Sequence, residues 1–327
     1  MRDKIIANKI LKWYDINKRP LPWRKKVSNR KKQYYTLVSE FMLQQTQVST
    51  VIPYFQKFIK NIPNLEVLAN FNDQKLAKLW EGLGYYSRVR NLKKTAQEVV
   101  KNFNKNIPSN LLELKSLPGI GDYTASAILA IAFNKPFIPL DGNIERVLKR
   151  YLYLKKEYQI TKENLHKKKK IFGLTSRSSD YVQALMELGA LICKPNNPHC
   201  KLCPISNKCI SFKKKDFVLN KIKKKNKDKY YLLSVFKKNQ KYLVIKNTKF
   251  NFLKNFDIFP MQEIIKPKNF DKDLNIKISN MNMNIKIEYE NTAMSVITPN
   301  WIDPKNLNNY TLPSFTKKIV DYLENNK

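Results

Sequence analysis

Histidine is nearly missing from this chain: 327 residues contain two, His166 and His199. That shortage almost excludes a histidine-based nucleophilic triad or a multi-histidine metal site, and leaves acid–base work to carboxylates, lysine or tyrosine. Glycine is scarce too. All seven lie between Gly82 and Gly189, so nothing beyond residue 189 that requires glycine can be built. Cysteine occurs at four positions, all between 193 and 209. No apolar run approaches the ~18 residues of a membrane span, and the opening MRDKIIANKILKWYD is too polar for a signal peptide. A cytoplasmic protein with no membrane partner is expected. Acidic residues are outnumbered, 26 against 62 Lys+Arg, for a net charge of +36. The imbalance points to a polyanionic partner, nucleic acid before an anionic membrane surface. Because Lys, Asn and Ile abound along the whole chain, part of that charge is solvated surface.

With 43% hydrophobic residues, the chain has enough apolar surface for real cores, and its length suggests two domains. Helical spacing marks residues 3–16, and RPLPWR at 19–24 breaks it. Further helical patterns run over 34–58, 73–82, 87–103, 110–117, 123–133, 144–153 and 179–192. Residues 213–229 hold nine lysines and no glycine, which reads as an exposed basic linker. Beyond them the period changes to that of strands: 230–236 and 242–245 joined near Asn239, and Ile285, Ile287 and Tyr289 alternating with polar residues. A helix over 314–324 closes the chain. The first half is therefore all-α and the second small and α+β.

Between Leu117 and Asp141 lies LPGIGDYTASAILAIAF followed by PLDGN. Gly119 and Gly121 flank Ile120, an order that suits a tight turn between two helices. Such a turn is either a plain linker or a place where a phosphate meets exposed backbone N–H groups at a helix N-terminus.

Glu40 stands on a helix beside Phe41 and Met42. Apolar neighbours raise a carboxyl pKa toward the range a general acid needs; the inert alternative is a helix N-terminal acid beside Ser39. Gln44, Gln45, Thr46 and Gln47 offer amide and hydroxyl groups able to read base edges or fill a gap in a base stack. In GLGYYSRVRNL at 82–92, Leu83, Tyr85 and Tyr86 can wedge into a duplex while Arg88 and Arg90 hold phosphates. Core packing is the alternative for these side chains.

Cys193, Cys200, Cys203 and Cys209 follow a C-x6-C-x2-C-x5-C spacing. Clustering of this kind argues for a metal site over disulfides. One compact loop holding four thiolates suits a cubane iron–sulfur cluster, with zinc or unliganded thiols as alternatives. His199 is a substitute ligand or a loop residue beside one.

Taken together, LPGIG, the acid Asp141 twenty residues after Gly121, and the cysteine quartet resemble the helix-hairpin-helix DNA glycosylase superfamily. LPW at 21–23, SEFMLQQTQV, VIPYF at 51–55, GLGYYSRVRNL, LDGN at 140–143 and the segment 185–193 are most similar to the adenine DNA glycosylase (MutY) family. FDIFP at 256–260, Ser279, Trp301 and YTLPSFTKKI resemble, faintly, that family's C-terminal domain. The resemblance implies a mainly α fold, a two-part helical glycosylase core with a helix-hairpin-helix and an iron–sulfur loop, plus a small α+β MutT/Nudix-like C-terminal domain. The implied glycosylase domain spans 1–212, with a six-helix region at about 30–135 and a cluster region made of 1–29 with 136–212. A linker at 213–228 and a lesion-recognition domain at 229–327 follow. The implied cofactor is a 4Fe-4S cluster on Cys193, Cys200, Cys203 and Cys209. The implied partner is double-stranded DNA bearing a mismatch or oxidised guanine, bound by a monomer associated with a bacterial nucleoid.

The activity implied is removal of adenine mispaired with 8-oxoguanine or guanine. By resemblance Glu40 protonates the base and later activates water, Asp141 faces the cationic sugar, and Tyr123 and Asn143 support them, a logic parallel to that of retaining glycosidases. Gln45, Leu83 and Tyr85 would wedge the duplex as the base is extruded, with Thr46, Arg88, Gly119, Gly121 and Ser279 as further DNA contacts. In the endonuclease III branch position 123 carries the lysine that attacks the sugar; a tyrosine cannot form a Schiff base, so base removal without efficient strand cleavage is expected. Two departures stand out. The family's lesion-reading Phe-Ser-His has its best counterpart in Ile278-Ser279-Asn280, which replaces an imidazole by a neutral amide, and the absence of glycine after 189 argues against pyrophosphate hydrolysis by the C-terminal domain. The rival readings are an endonuclease III-like or thymine-mismatch glycosylase and an inactive iron–sulfur DNA-binding protein.

Overall fold

The computed structural model describes residues 2–219, 227–254, 256–278, 280–290 and 300–326. The chain folds into two compact units, one of residues 1–71 with 87–221 and one of residues 72–86 with 222–327.

The first unit is helical. Its helices are α1 (Arg2–Asn17), α2 (Asn29–Leu43), α3 (Val48–Asn61) and α4 (Leu65–Asn70). After α5 (Asp73–Trp80), which belongs to the other unit, come α6 (Ser87–Asn102), α7 (Leu111–Ser116), α8 (Asp122–Phe133), α9 (Gly142–Leu152), α10 (Lys162–Lys168), α11 (Ser178–Glu187) and α12 (Ile210–Lys213). The abundant asparagine is put to use at helix starts. Asn64 and Asn110 accept hydrogen bonds from the first-turn N–H groups of Val67 and of Leu112 and Glu113, satisfying donors that a helix cannot pair internally. α8 is apolar nearly all round, with residues 124–130 buried, and α2 packs against it as well as against α3 and α6. A second core joins α1 (Ile6, Ile10, Tyr14), α9 (Ile144, Val147, Leu148) and α11 (Tyr181, Leu185).

Of two helices expected from periodicity, one is interrupted and one changes its winding. The pattern over 34–58 divides into α2 and α3, because Gln45 adopts a left-handed φ of 57°. The buried Arg88 guanidinium fixes this break by donating to the carbonyls of Phe41 (3.2 Å), Met42 (2.7 Å) and Gln44 (2.6 Å). The pattern over 179–192 is helical throughout, α to Glu187 and then a wider π turn over 188–192, where the Cys193 N–H bonds to the Leu188 carbonyl at 2.8 Å.

The second unit contains α5 (Asp73–Trp80), β1 (Lys227–Lys238), β2 (Lys241–Lys246), β3 (Asp257–Ile258), β4 (Met261–Ile264), β5 (Leu274–Ile278), β6 (Met281–Glu290), β7 (Asn300–Ile302) and α13 (Ser314–Asn325). The sheet runs β3-β2-β1-β6-β5, with β4 also on β1 and β7 also on β2. β1 and β6 are parallel and the other pairs antiparallel. Asn239 and Gln240, at φ 48° and 62°, form the two-residue turn between β1 and β2, a conformation matched to strand twist in hairpins. Phe315, Ile319, Val320 and Leu323 of α13 complete the core over Tyr231, Leu233, Val235 and Ile285. The strand and closing-helix expectations are met within a residue or a few at each end. The segment 72–86, which the sequence pattern assigns to the helical domain, belongs to the compact unit of the sheet.

Candidate active site

Glu40 lies on the buried face of α2 and is 5% exposed. Burial pushes its carboxyl pKa up to about 7, the nearby Tyr123 hydroxyl lowers it, the Asp141 charge raises it and the Arg24 charge lowers it. Its Oε2 has no hydrogen-bond partner among the described residues. A buried carboxyl oxygen left without a partner is costly in a purely structural role, so this atom is available to a ligand.

Tyr123 sits in the first turn of α8, just after the hairpin, and burial with the neighbouring Glu40 and Asp141 charges raises its pKa well above the ordinary value. Asp141 caps α9: its Oδ1 accepts from the Ile144 N–H at 2.7 Å and its Oδ2 from Asn143 Nδ2 at 2.9 Å. Burial nonetheless raises the Asp141 pKa, against those hydrogen bonds and the Arg146 charge. Two carboxyls with raised pKa and a tyrosine therefore converge. They line one cavity of about 890 Å³ together with Gln44, Gln45, Thr46, Asn143, Arg146 and Gln183, a pocket large enough for a base and its sugar.

Residues outside the sequence-based expectations shape the rest of this cavity. Glu187, 1% exposed, takes Arg19 as a bidentate partner at 2.7 and 2.9 Å and Arg24 at 2.9 Å. Like Glu40, it is an acid within an apolar helical stretch, so the same signal marks it. Arg146 donates to Asn143 Oδ1 at 2.8 Å, to the Gly189 carbonyl at 2.7 Å and to the Cys193 carbonyl at 2.6 Å. It thus locks the start of α9 to the chain entering the cysteine loop. Gly189 has no comparable signal in sequence, yet a Cβ there would meet Asn143 Cβ at 2.5 Å.

The hairpin glycines differ from one another. Gly119 has φ 79°, and a Cβ on it would come within 2.8 Å of Asn91 and 3.0 Å of Phe41, so both conformation and space demand glycine. Gly121, the N-cap of α8 at φ −94°, has nothing within 4 Å of an added Cβ, which leaves the helix N-terminus open.

Two of the residues expected to contact DNA are buried. Arg88 is 6% exposed, and its guanidinium caps the C-terminal carbonyls of α2 and donates to Thr46 Oγ1 at 3.0 Å. Leu83 is 5% exposed. Gln45 is exposed at a left-handed position, and Tyr85 is 42% exposed at φ 47°, so both project from turns. Thr46 is half-buried. Ser279 lies outside the described residues; Ile278 ends β5 and Asn280 is in the turn before β6.

The four cysteines form no disulfide and line one cavity with Val147, Tyr151, Leu188 and Ile205. Arg150 reaches Cys193 Sγ at 3.5 Å and the carbonyls of Lys194 and Pro195 at 2.6 and 2.7 Å. His199 is exposed and outside that lining. Among the described residues no helix is long and apolar enough to cross a membrane.

Comparison with known proteins accords with this site. Residues 38–170 match the family described as "HhH-GPD superfamily base excision DNA repair protein". An adenine DNA glycosylase of Buchnera aphidicola subsp. Schizaphis graminum is 34% identical over 346 residues, covering 97% of this chain and 98% of the relative. One from Buchnera aphidicola subsp. Baizongia pistaciae is 36% identical over 336 residues, covering 100% of this chain and 93% of the relative. Among solved structures, a thermostable thymine-DNA glycosylase superposes with a TM-score of 0.57 at 26% identity, covering 65% of this chain and 97% of that one. A buried acid on α2 with a half-buried one before α9, a hairpin glycine that admits no side chain, and kinship over nearly all of both chains agree: the chain belongs to the adenine DNA glycosylase family, DNA repair enzymes that hydrolyse N-glycosyl bonds.

Proposed function

We propose that the chain excises adenine opposite 8-oxoguanine, and opposite guanine, without efficient strand cleavage. The observation that carries this reading is Glu40: a buried acid with a pKa of about 7 and an unpartnered Oε2, in one cavity with Asp141 and Tyr123. Near neutral pH such a group is protonated often enough to give its proton to the adenine ring. The N-glycosidic bond then breaks, its electron pair leaves with the base, and positive charge develops on the sugar. Asp141, fixed by the Ile144 N–H and Asn143, faces that charge as a carboxylate and can bond to the sugar transiently. Water adds to the sugar carbon as Glu40, now ionised, takes up its proton. The extruded base is accommodated in the cavity walled by Arg19, Arg24 and Glu187.

Tyr123 supports the expectation of base removal alone. Its hydroxyl sits beside Glu40, where an amine would be needed for a Schiff base. Gln45 and Tyr85 are the exposed turn residues suited to wedge the duplex, and Gly121 opens the α8 N-terminus to a phosphate.

The cysteine loop suits a 4Fe-4S cluster. Four cysteines line one cavity, the ligand number and type that a cubane cluster requires. Cys193, Cys200, Cys203 and Cys209 would hold the cluster, which when bound supplies a charged, redox-capable centre of four irons. Base hydrolysis is redox-neutral and is carried by the side chains named above.

The mixed sheet with its parallel β1–β6 pair supports a Nudix-like C-terminal unit that reads the opposite base. The glycine-free sequence after 189 argues that it does not hydrolyse pyrophosphates. The protein acts as a monomer in the cytoplasm, at the nucleoid. Single-turnover excision from adenine:8-oxoguanine, adenine:guanine and thymine:guanine duplexes tests the reading. Release of adenine from the first two, with no β-elimination product at the rate of base release, is expected. Release of thymine alone would overturn it.

A further inference from the structure

Residues 72–86 and 222–327 form one compact unit, and two contacts inside it bracket the turn at 82–85. At one side, Lys317 Nζ on α13 lies 2.6 Å from Glu81 Oε1, and Lys78 reaches the other oxygen at 2.8 Å. At the other side the Tyr86 ring packs on Phe256, centroids 4.2 Å apart at 47°, and both rings are buried. Between the two, Gly82, Gly84 and Tyr85 hold φ values of 101°, 67° and 47°. A tyrosine keeps a left-handed backbone only where its surroundings over-determine it.

We propose that Lys317 and Phe256 are positioning residues for the Tyr85 turn, so that the C-terminal part of the chain governs extrusion of the target base as well as recognition of its opposite. The inference rests on the reading of Tyr85 as a duplex wedge. A loose turn would lose conformational entropy when its side chain enters the base stack, whereas a turn held at positions 81 and 86 is ordered before DNA arrives. The basic side chain of α13 acts at a distance in sequence of more than two hundred residues from the turn it holds, through the Glu81 carboxylate.

The test uses the full chain in a Glu40→Gln background, which keeps the target base attached, and a duplex with 2-aminopurine replacing adenine opposite 8-oxoguanine. The fluorescence gain on binding reports the unstacked base. Lys317→Ala is expected to lower the extruded-to-stacked ratio about threefold, and Phe256→Ala about tenfold. Affinity for an undamaged duplex should not change. Phe256→Leu, which keeps the apolar volume, should lie between Phe256→Ala and the parent. Glu81→Ala combined with Lys317→Ala should lose no more than the weaker of the two single variants, the mark of one shared interaction. Full extrusion in both Lys317→Ala and Phe256→Leu, beside a loss in Tyr85→Ala, overturns the positioning role alone. Full extrusion in Tyr85→Ala overturns the wedge reading beneath it.

Discussion

Gly189 lies so close to Asn143 that a side chain at 189 would occupy the same space, with an added Cβ at 2.5 Å from Asn143 Cβ and 2.9 Å from its Cα. Asn143 in turn donates to Asp141 at 2.9 Å, so the packing of one glycine sets the carboxyl that faces the sugar in the proposed reaction. Gly189→Ala should therefore shift the start of α9, cost about 1–3 kcal/mol through overpacking, and lower the single-turnover rate constant more than it raises the DNA dissociation constant. Thermal melting together with excision and binding on one duplex checks this. Equal loss in binding and rate would point to a general collapse of the unit instead.

Arg88 separates a structural from a DNA-contacting arginine. Buried and bonded to four oxygen atoms around the end of α2, it should on change to alanine destabilise the protein by about 3 kcal/mol, since several carbonyls lose a charged donor. The slope of log affinity against log salt should stay as in the parent. A phosphate contact would instead reduce that slope by about one.

Tyr123→Phe removes the hydroxyl that lowers the Glu40 pKa. Without it the acid stays protonated to higher pH, and the descending limb of the pH–rate profile should move up by as much as about one unit. The profile measured with and without the substitution decides the point; an unshifted limb would mean that the hydroxyl does not act on Glu40.

Burial of Glu40 also carries a stability cost with a definite sign. Its folded pKa, about 7, lies above the ordinary 4.5, so the folded state binds the proton more tightly and stability falls as pH rises through that window. Glu40→Gln should raise the melting temperature at pH 8, by an amount corresponding to at most about 3 kcal/mol, and the gain should shrink toward pH 5. Titration of melting temperature for both proteins provides the comparison.

Which of these features are legible in the sequence follows from what each kind of residue can signal. Glu40 is visible because a carboxylate in an apolar helical stretch has few inert explanations. Glu187 in LMELGALI presents the same signal, and only the pairing with Arg19 and Arg24 distinguishes its role. The apolar spacing over 34–58 reads as one helix because it carries no trace of Arg88, whose capture of three carbonyls ends α2 from forty residues away. Leu83 and Tyr85 are two residues apart in one turn, and composition cannot say which points inward; the left-handed backbone at Tyr85 and the burial of Leu83 do. The tightness around Gly189 arises from α9, distant in sequence, so only the fold displays it. The cysteine spacing, in contrast, is a local quantity, and the four thiols line the same cavity.

The most direct test of the central claim, that Glu40 is the acid that protonates the departing base, is the pH dependence of single-turnover excision from an adenine:8-oxoguanine duplex, with Glu40→Gln alongside. The expected result is a rate constant that falls roughly tenfold per pH unit well above a midpoint near 7, and no excision by Glu40→Gln despite near-parental affinity for the duplex. A rate constant flat from about pH 5 to 9, or undiminished excision by Glu40→Gln, would contradict it.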